Sequence, residues 1–376
     1  MDFNLNDEQS MLSDAVERWL ASDYDFATRR RLASGDLDPA GPWQQLAELG
    51  LLGLSVPEAA GGMGASPVEA LLVMQALGRA LVVEPYLPNA LVAAPLIARI
   101  GNEAQRNGLL PAMTAGETRV VLATYEPGAR FDLDHIETTA TRRGHGYLID
   151  GCKSVVVGGD SANLFIVSAR TAGKPRDTHG VSLFLVPATA AGVSVDATPT
   201  IDGLRAAEIS LEDVLVDGAA LLGTRDQGYD ELERAVDRGI AGLCAEAVGV
   251  MERLLEMTSE HLRTRRQFGQ PIGNFQALQH RVADMAIAIE QARSMALLAA
   301  SKVDTDNHRE RRRAMSAAKM MIGQSGRHVG EQAVQLHGGM GMTDDLAVGW
   351  YFKRLVCIDL TFGDSGYHLE KFGELL

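Results

Sequence analysis

Hydrophobic and polar positions divide the chain into three stretches with different periodicities. Up to about residue 115, apolar residues recur at three- and four-residue spacing, which predicts amphipathic helices. The clearest early example is the set Met11, Leu12, Val16, Trp19 and Leu20. Asn6 precedes two acidic residues and is expected to cap the first helix. The residues from Leu71 to Leu81 are nearly all apolar, so that helix should lie at the centre of its bundle.

The second stretch begins near Arg119 and consists of short β-type runs separated by glycine-bearing turns. No helical pattern intervenes, so an antiparallel barrel or sandwich of about 100 residues is expected. The runs cover residues 120–124, 138–141, 147–149, 154–157, 164–167, 181–186, 209–211 and 214–216.

Helical spacing returns from about Gly228 to the end of the chain. Two long amphipathic patterns meet at a glycine- and proline-containing corner, residues 265–276. A polar connector over 304–311 then leads to a third helix, about 312–336, which should stop at Gly338-Gly339. The predicted fold is α+β, with a helical domain (1–117), a middle β domain (118–226) and a C-terminal four-helix bundle (227–376).

Composition narrows the possible functions. The chain has 46% hydrophobic and 22% charged residues and a net charge of −14, so nucleic acid and anionic membranes are unfavourable partners. The apolar segment 70–100 is broken by charges and prolines and should not span a bilayer. The N-terminal residues show no signal-peptide pattern, and the three scattered cysteines show no metal-ligand spacing. A cytoplasmic protein without a metal site is expected.

The corner at 265–276 carries the most distinctive chemistry. It brings together two arginines, glutamines and the aromatic Phe268, and an arginine guanidinium is suited to gripping a phosphate. From these residues alone, a solvated corner between two core helices is the favoured interpretation.

Two separated motifs make the whole chain resemble the acyl-CoA dehydrogenase family. The first is Arg265-Arg266-Gln267-Phe268-Gly269 with Gln276 and Ala283-Asp284-Met285, and the second is the run 335–342, Gln-Leu-His-Gly-Gly-Met-Gly-Met. The resemblance implies helical, β and helical-bundle domains and an FAD at a dimer interface.

The resemblance also implies which residues contact FAD. Arg265 and Phe268 would reach the pyrophosphate and adenine side of a flavin held largely by the neighbouring subunit, together with Gln276. Gln335, Gly338 and Gly339 would approach the adenosine diphosphate portion, because glycines allow the backbone close access.

Other family positions are changed. Phe131 stands where a serine is usual, and Val155 and Val157 stand where a tryptophan and a threonine would contact the flavin ring. Valine offers neither a stacking plane nor a hydrogen bond. The β domain is therefore expected to hold a flavin ring poorly.

The usual catalytic glutamate is also replaced. Its position near the C-terminus corresponds to Phe362, and the alternative base position on the first helix of the C-terminal domain corresponds to Gly239-Ile240. Asp364 and Asp237 each lie two residues from these positions and are the weak candidates for a shifted base. A solvated or helix-capping role is the other interpretation for both.

These features resemble the small subunit of a heteromeric bacterial enzyme of the pimeloyl-CoA dehydrogenase type. The resemblance implies an α2β2 assembly with a larger paralogous dehydrogenase subunit, an acyl-CoA substrate undergoing α,β-dehydrogenation, and an electron-transferring flavoprotein as acceptor. One alternative is a self-sufficient homo-oligomeric dehydrogenase that uses Asp364 or Asp237 as base. Another is a non-enzymatic acyl-CoA-binding or scaffold paralogue.

Overall fold

The computed structural model describes residues 5–376 and begins with a helical part. Asn6 caps the first helix as expected: its side chain accepts a hydrogen bond from the Gln9 backbone N–H, and the Gln9 side chain returns one. Pro67 opens the central helix, where its missing N–H costs nothing. The helices are α1 (Asp7–Asp23), α2 (Phe26–Ser34), α3 (Ala40–Glu48), α4 (Pro67–Ala80), a π-helical segment (Leu87–Ala93), α5 (Ala94–Ile100) and α6 (Glu103–Thr114).

The middle part is an eight-stranded sheet with the order β6-β7-β3-β2-β4-β5-β8, while β1 pairs with β4. Most pairs are antiparallel as expected, but β1 runs parallel to β4. Parallel strands need a long connection. Here the segment that contains β2 and β3 follows β1 in the sequence and brings the chain back to start β4 in the same direction. The strands are β1 (Val120–Ala123), β2 (Thr139–Arg143), β3 (Gly146–Val157), β4 (Leu164–Arg170), β5 (Val181–Pro187), β6 (Val193–Pro199), β7 (Arg205–Asp217) and β8 (Leu221–Leu222).

The C-terminal part contains five helices and a small hairpin at the corner. The helix α9 starts earlier than the sequence predicted, because Asn307 caps it through the Glu310 backbone N–H at 3.1 Å. The elements are α7 (Tyr229–Thr264), β9 (Arg266–Gln267), β10 (Gln270–Pro271), α8 (Gln276–Lys302), α9 (His308–His337), α10 (Ala347–Leu360) and α11 (Ser365–Glu374). Along residues 5–376, no helix combines the length and apolarity that crossing a bilayer requires.

The two helical parts and one side of the sheet share a large hydrophobic cluster, and the sheet also has a second cluster of its own. The strands β4 and β5 are buried on both faces, and their alternating side chains divide between two clusters. Phe165 and Phe184 pack inside the β part, whereas Ile166 and Leu183 join the large cluster formed by the helices. Alternation of side chains across a strand therefore attaches the sheet to both helical parts and fixes the junction where they meet.

Candidate active-site cavity

A cavity of about 830 Å³ lies where the three parts of the chain meet. Its walls come from α4 and the segment after it, from the sheet around β1 and β3, and from α7 and the α10–α11 connection. A volume of this size accommodates a cofactor- or drug-sized molecule. The lining includes Phe131, Val155, Val157 and Phe362, so the four changed family positions face one space.

Phe362 packs directly on Gly239 in this region. A Cβ atom added at Gly239 would lie 2.5 Å from Phe362 Cε2, so only glycine leaves room for the ring. The Tyr125 ring lies on the cavity wall with its centroid 6.2 Å from that of Phe362. The two positions that the sequence resemblance predicted for a base are thus an aromatic ring and a glycine in contact with each other.

The loop that carries Phe362 is held from below by two buried side chains. Lys319 Nζ donates to the carbonyl oxygens of Asp359 at 2.8 Å and Gly363 at 2.6 Å, and His368 Nε2 donates to the Phe362 carbonyl at 3.0 Å. Burial lowers the pKa of Lys319 to about 8, and burial with the nearby Lys319 charge lowers the pKa of His368 to about 3. This support fixes Phe362 in a left-handed backbone conformation, φ 61°.

The two candidate bases lie elsewhere. Asp237 is fully buried, and its two carboxylate oxygens accept from Arg311 Nε at 2.8 Å and Arg312 Nη1 at 2.5 Å. Asp364 caps α11 by accepting from the Tyr367 backbone N–H at 2.8 Å. Within the described residues, neither aspartate belongs to the cavity lining. Ion pairing and helix capping account for both side chains.

Val155 occupies an irregular point on β3. The register with β7 shifts between Lys153 and Val156, and Val155 has φ 51° and is 62% exposed. Glu208 stabilises this bulge, because its Oε1 accepts from the Val155 backbone N–H at 3.0 Å and from Ser154 Oγ at 2.9 Å. A β-branched residue is strongly disfavoured at positive φ. The bulge thus directs an apolar side chain into the cavity at a cost in backbone strain.

The corner after α7 forms a tight hairpin with an exposed aromatic tip. Phe268 and Gly269 both have positive φ, as a type I′ turn requires, and Phe268 is 89% exposed. Its ring makes an edge contact with Phe275, with centroids 5.9 Å apart. Arg265 ends α7, Gln276 starts α8, and both side chains are exposed.

The second motif lies beside this corner. The rings of His261 on α7 and His337 on α9 are 4.5 Å apart, which joins the two helix ends. Arg265 lies beside this pair, because its backbone N–H donates to the His261 carbonyl at 2.9 Å. Burial, and then the charges of His337 and Arg265, lower the pKa of His261. The glycine turn that follows His337 is therefore next to the arginine corner.

The glycine turn is open on its outer side. Gln335, Gly338 and Gly339 are exposed, and a Cβ added at either glycine would contact no heavy atom of this chain within 4 Å. Gly338 adopts φ 63° and ψ −145°, a conformation available mainly to glycine. The backbone conformation accounts for glycine at position 338, and no atom of this chain fills the space beside either glycine.

Sequence reasoning missed a buried ion network on the cavity wall. Arg354 donates to both oxygens of Glu246, at 2.5 and 2.7 Å, and to Asp202 Oδ2 at 2.8 Å. Arg354 thereby joins α10 to α7 and to the β6–β7 loop. It is more than a hundred residues from each of its two partners in the sequence. Both oxygens of Glu246 are occupied, and the network holds the β6–β7 loop of the sheet against two C-terminal helices.

Two further charged residues were given no functional role from the sequence. Glu84 was one of the charges that interrupt the apolar segment 70–100, and Arg119 marked the start of the β-type stretch. Both residues line the cavity. A charged residue inside an apolar run was the available signal, since burying such a group requires a specific reason.

Comparison with known proteins agrees with this architecture. Residues 6–117, 122–214 and 226–375 match the N-terminal, middle and C-terminal domains of acyl-CoA dehydrogenase. The probable acyl-CoA dehydrogenase YngJ of Bacillus subtilis is 30% identical and covers 97% of this chain and 97% of its own length.

Two solved structures extend the similarity. A variant of the steroid ACAD Tcur3481-Tcur3483 is 30% identical, with a TM-score of 0.87 over 98% of this chain and 97% of its own. The ChsE4-ChsE5 complex from Mycobacterium tuberculosis is 28% identical, with a TM-score of 0.88 over 100% and 98% of the two chains. The chain belongs to the acyl-CoA dehydrogenase family, a family of FAD-binding oxidoreductases that act on acyl-CoA thioesters.

Proposed function

We propose that this chain is one subunit of a heteromeric FAD-dependent acyl-CoA dehydrogenase and lacks the usual catalytic glutamate. The observation that carries this proposal is the contact of Phe362 with Gly239. It leaves no carboxylate at either of the family's base positions, and removal of an α-proton from a thioester needs a base within hydrogen-bond reach. A larger paralogous subunit would supply that glutamate.

FAD, when bound, accepts the hydride from the substrate β-carbon. The residues that would hold its adenosine diphosphate portion are Arg265, Phe268, Gln276 and the turn at Gly338-Gly339. An exposed guanidinium matches the pyrophosphate charge, and the open space beside both glycines fits a close approach by a molecule outside this chain.

The ring end of the cofactor fits this chain poorly. Val155, Val157 and Phe131 line the cavity where family members place aromatic or hydroxyl side chains against the ring. Neither valine can stack on the ring or hydrogen-bond to it. The combination supports a flavin whose ring lies mainly in the partner subunit and whose nucleotide end is completed by this one.

The hairpin tip favours the same arrangement. Phe268 exposes a large aromatic surface and also occupies a left-handed position, two features that destabilise an isolated chain. Met340 and Met342, at the neighbouring glycine turn, are also exposed. An apolar surface of this kind suits a cofactor and an α2β2 interface.

The remaining parts of the proposal follow from the family. The substrate would be an acyl-CoA that undergoes α,β-dehydrogenation, and the reduced flavin would pass its electrons to an electron-transferring flavoprotein in the cytoplasm. One relative, from Acetobacterium woodii, is named as subunit CarC of a caffeyl-CoA reductase-Etf complex and is 30% identical over 81% of this chain.

Expression of the chain by itself tests the proposal. The purified protein should be colourless and should not oxidise any acyl-CoA in a chain-length series. Co-expression with the dehydrogenase gene adjacent to it should yield a yellow, active complex. A yellow chain that turns over an acyl-CoA alone would instead establish the self-sufficient dehydrogenase.

A further inference from the structure

The cavity of this chain has no assigned occupant if the flavin ring lies in the partner subunit. Its inner wall includes Leu77 and Leu243, which belong to the large buried cluster. At its open side, the lining side chains of Val155, Ile201 and Leu360 are each more than half exposed. Apolar surface that remains open to solvent is typical of an interaction site. The cavity therefore suits a ligand with an apolar body.

Along residues 5–376, the acids of the cavity lining already have partners. Asp202 and Glu246 both accept from Arg354. The other three acids also accept from donors of this chain: Glu126 Oε1 from Lys153 Nζ at 2.6 Å, Asp160 Oδ2 from Arg205 Nε at 2.5 Å, and Glu84 Oε2 from Tyr24 Oη at 2.6 Å. Because each acid is engaged, the lining does not favour a cationic ligand.

Arg130 is a cation of the lining that lacks such a partner. It is exposed, and within residues 5–376 no carboxylate oxygen lies within 4.0 Å of its guanidinium nitrogens. The guanidinium lies over the Phe131 ring, 5.6 Å from the centroid. Arg119 is different, because it is half-buried over the Trp43 ring; burial lowers its pKa, and the nearby charge of Glu84 opposes that shift. Arg130 is therefore the accessible cation without a compensating acid.

The backbone holds Arg130 in an unusual conformation. Its φ is 54°, in the left-handed region that a side chain disfavours. The neighbours on both sides are fixed: the buried Ala129 donates its backbone N–H to the Glu126 carbonyl at 3.0 Å, and the Phe131 ring packs on Tyr367 with centroids 5.6 Å apart. Strain that the surroundings hold in place is concentrated at ligand-binding sites. The turn thus presents the guanidinium from a rigid position.

The chemistry of Arg130 restricts the anion that fits beside it. A planar carboxylate matches the fork of a guanidinium and can accept two hydrogen bonds from it. A CoA thioester carries several phosphate charges, which one unpaired arginine cannot balance, and the chain as a whole has a net charge of −14 and repels polyanions. A ligand with a single carboxylate therefore fits better than a thioester.

We infer that the cavity of this subunit binds a free long-chain carboxylic acid, with the carboxylate on Arg130 and the hydrocarbon chain against the apolar wall. The inference rests on the proposed function in one respect, namely that the flavin ring lies in the partner subunit and leaves this cavity free. The head-group preference rests on Arg130, and the preference for a long chain rests on the apolar lining.

Calorimetric titration of the full chain tests this inference without flavin or turnover. The ligands are straight-chain acids from hexanoate to tetradecanoate, each compared with the primary alcohol and the CoA thioester of the same length. Affinity for the acids should rise about fourfold per added methylene until the chain fills the cavity. At one length and low ionic strength, the acid should bind about fivefold more tightly than the alcohol, and added salt should reduce that preference.

Variants assign the preference to Arg130. Arg130→Met should lower affinity for the acid about fivefold and leave affinity for the alcohol unchanged, which also shows that the variant is folded. Arg130→Lys should keep part of the preference, because the charge remains while the planar fork is lost. Arg143→Met is the matched control: Arg143 is exposed at the end of β2, away from the lining, and its loss should change neither affinity.

The inference is overturned if no acid binds, if the alcohol or the CoA thioester binds as tightly as the acid, or if Arg143→Met weakens the acid as much as Arg130→Met does. The colour of the purified chain and the flavin content of the co-expressed complex are separate measurements. A failure here and a failure of the heteromeric proposal can therefore be distinguished.

Discussion

The Phe362 ring lies against Gly239, so close that a methyl group at position 239 would fall 2.5 Å from the ring. The contact joins the α10–α11 connection to the middle of α7. In the family, either position can carry the base that removes the substrate proton. In this chain the two residues are in apolar contact, and under the proposed function this contact stands in place of the reacting carboxylate.

Gly239→Ala should destabilise the protein, although alanine is the better helix former. The added methyl group must displace the partly buried Phe362 ring, which costs about 1–3 kcal/mol, against a propensity gain of about 1 kcal/mol. Thermal melts should therefore show a lower Tm in the otherwise unchanged chain.

In the Phe362→Ala background, the same Gly239→Ala substitution should raise Tm, because the ring is gone and only the propensity gain remains. The two substitutions thus form a double-mutant cycle with a change of sign. An equal effect of Gly239→Ala in both backgrounds would mean that the contact is not tight.

Val155→Gly should stabilise the protein or leave it unchanged despite the loss of a side chain. Valine at φ 51° carries a steric penalty of about 1–2 kcal/mol that glycine avoids. Val157 lies two residues further along the same strand without positive φ and is the matched control. Val157→Gly should lower Tm, and an equal loss from both substitutions would argue against strain at Val155.

Local elements were predictable from the sequence because their determinants are local. The Asn6 cap and the end of α9 beside Gly338 both depend on residues within one turn. The start of α9 was missed for an equally local reason: the cap at Asn307 outweighs the polar character of the residues that follow it.

Pairings between distant segments were not predictable in this way. The parallel pairing of β1 with β4 depends on how the intervening strands return. Asp237 was a weak candidate for a shifted base, and in the structure it pairs with Arg311 and Arg312 from another helix. Only the folded chain brings such partners together, because helical periodicity specifies a buried face and not the residue opposite it.

The candidate FAD-binding residues could be chosen from motifs, but their proximity required the structure. The stacked rings of His261 and His337 join the ends of α7 and α9, and no pattern within either helix predicts that contact. The positions of Glu84 and Arg119 on the cavity wall likewise became visible only in the folded chain.

Arg265→Ala should lower the flavin content of the co-purified complex while leaving its subunit composition unchanged. The exposed guanidinium at the end of α7 is the group proposed to pair with the cofactor pyrophosphate, and a lysine there should restore only part of the loss. Flavin absorbance per mole of complex measures the effect.

The control is Arg263→Ala, two residues earlier on the same helix. Arg263 is also exposed but pairs with Glu260 at 3.1 Å. This variant should retain the wild-type flavin content. If the two alanine variants lost flavin equally, a general loss of positive charge would replace the specific contact at Arg265.

His368→Gln should flatten the loss of stability in acid. The pKa of His368 is about 3 in the folded protein, against an ordinary value of 6.5. Between these values the unfolded chain binds a proton that the folded chain does not, so stability falls as pH drops from about 6.5 to 3. Removing this titration should reduce the slope by up to about 1.4 kcal/mol per pH unit.

The glutamine amide can still donate to the Phe362 carbonyl, which separates the titration from the hydrogen bond. His145 is exposed on the turn between β2 and β3, and His145→Gln should leave the acid slope unchanged. The dependence of Tm on pH for the three proteins gives the comparison. Parallel curves for wild type and His368→Gln would refute the assignment.

The flavin stoichiometry of the complex with the co-expressed larger subunit tests the central claim most directly. Native mass gives the number of chains, and flavin released by denaturation gives the number of cofactors. The account predicts an α2β2 assembly with two flavins per four chains, since this subunit completes a site but does not form one by itself. Four flavins per four chains would contradict it.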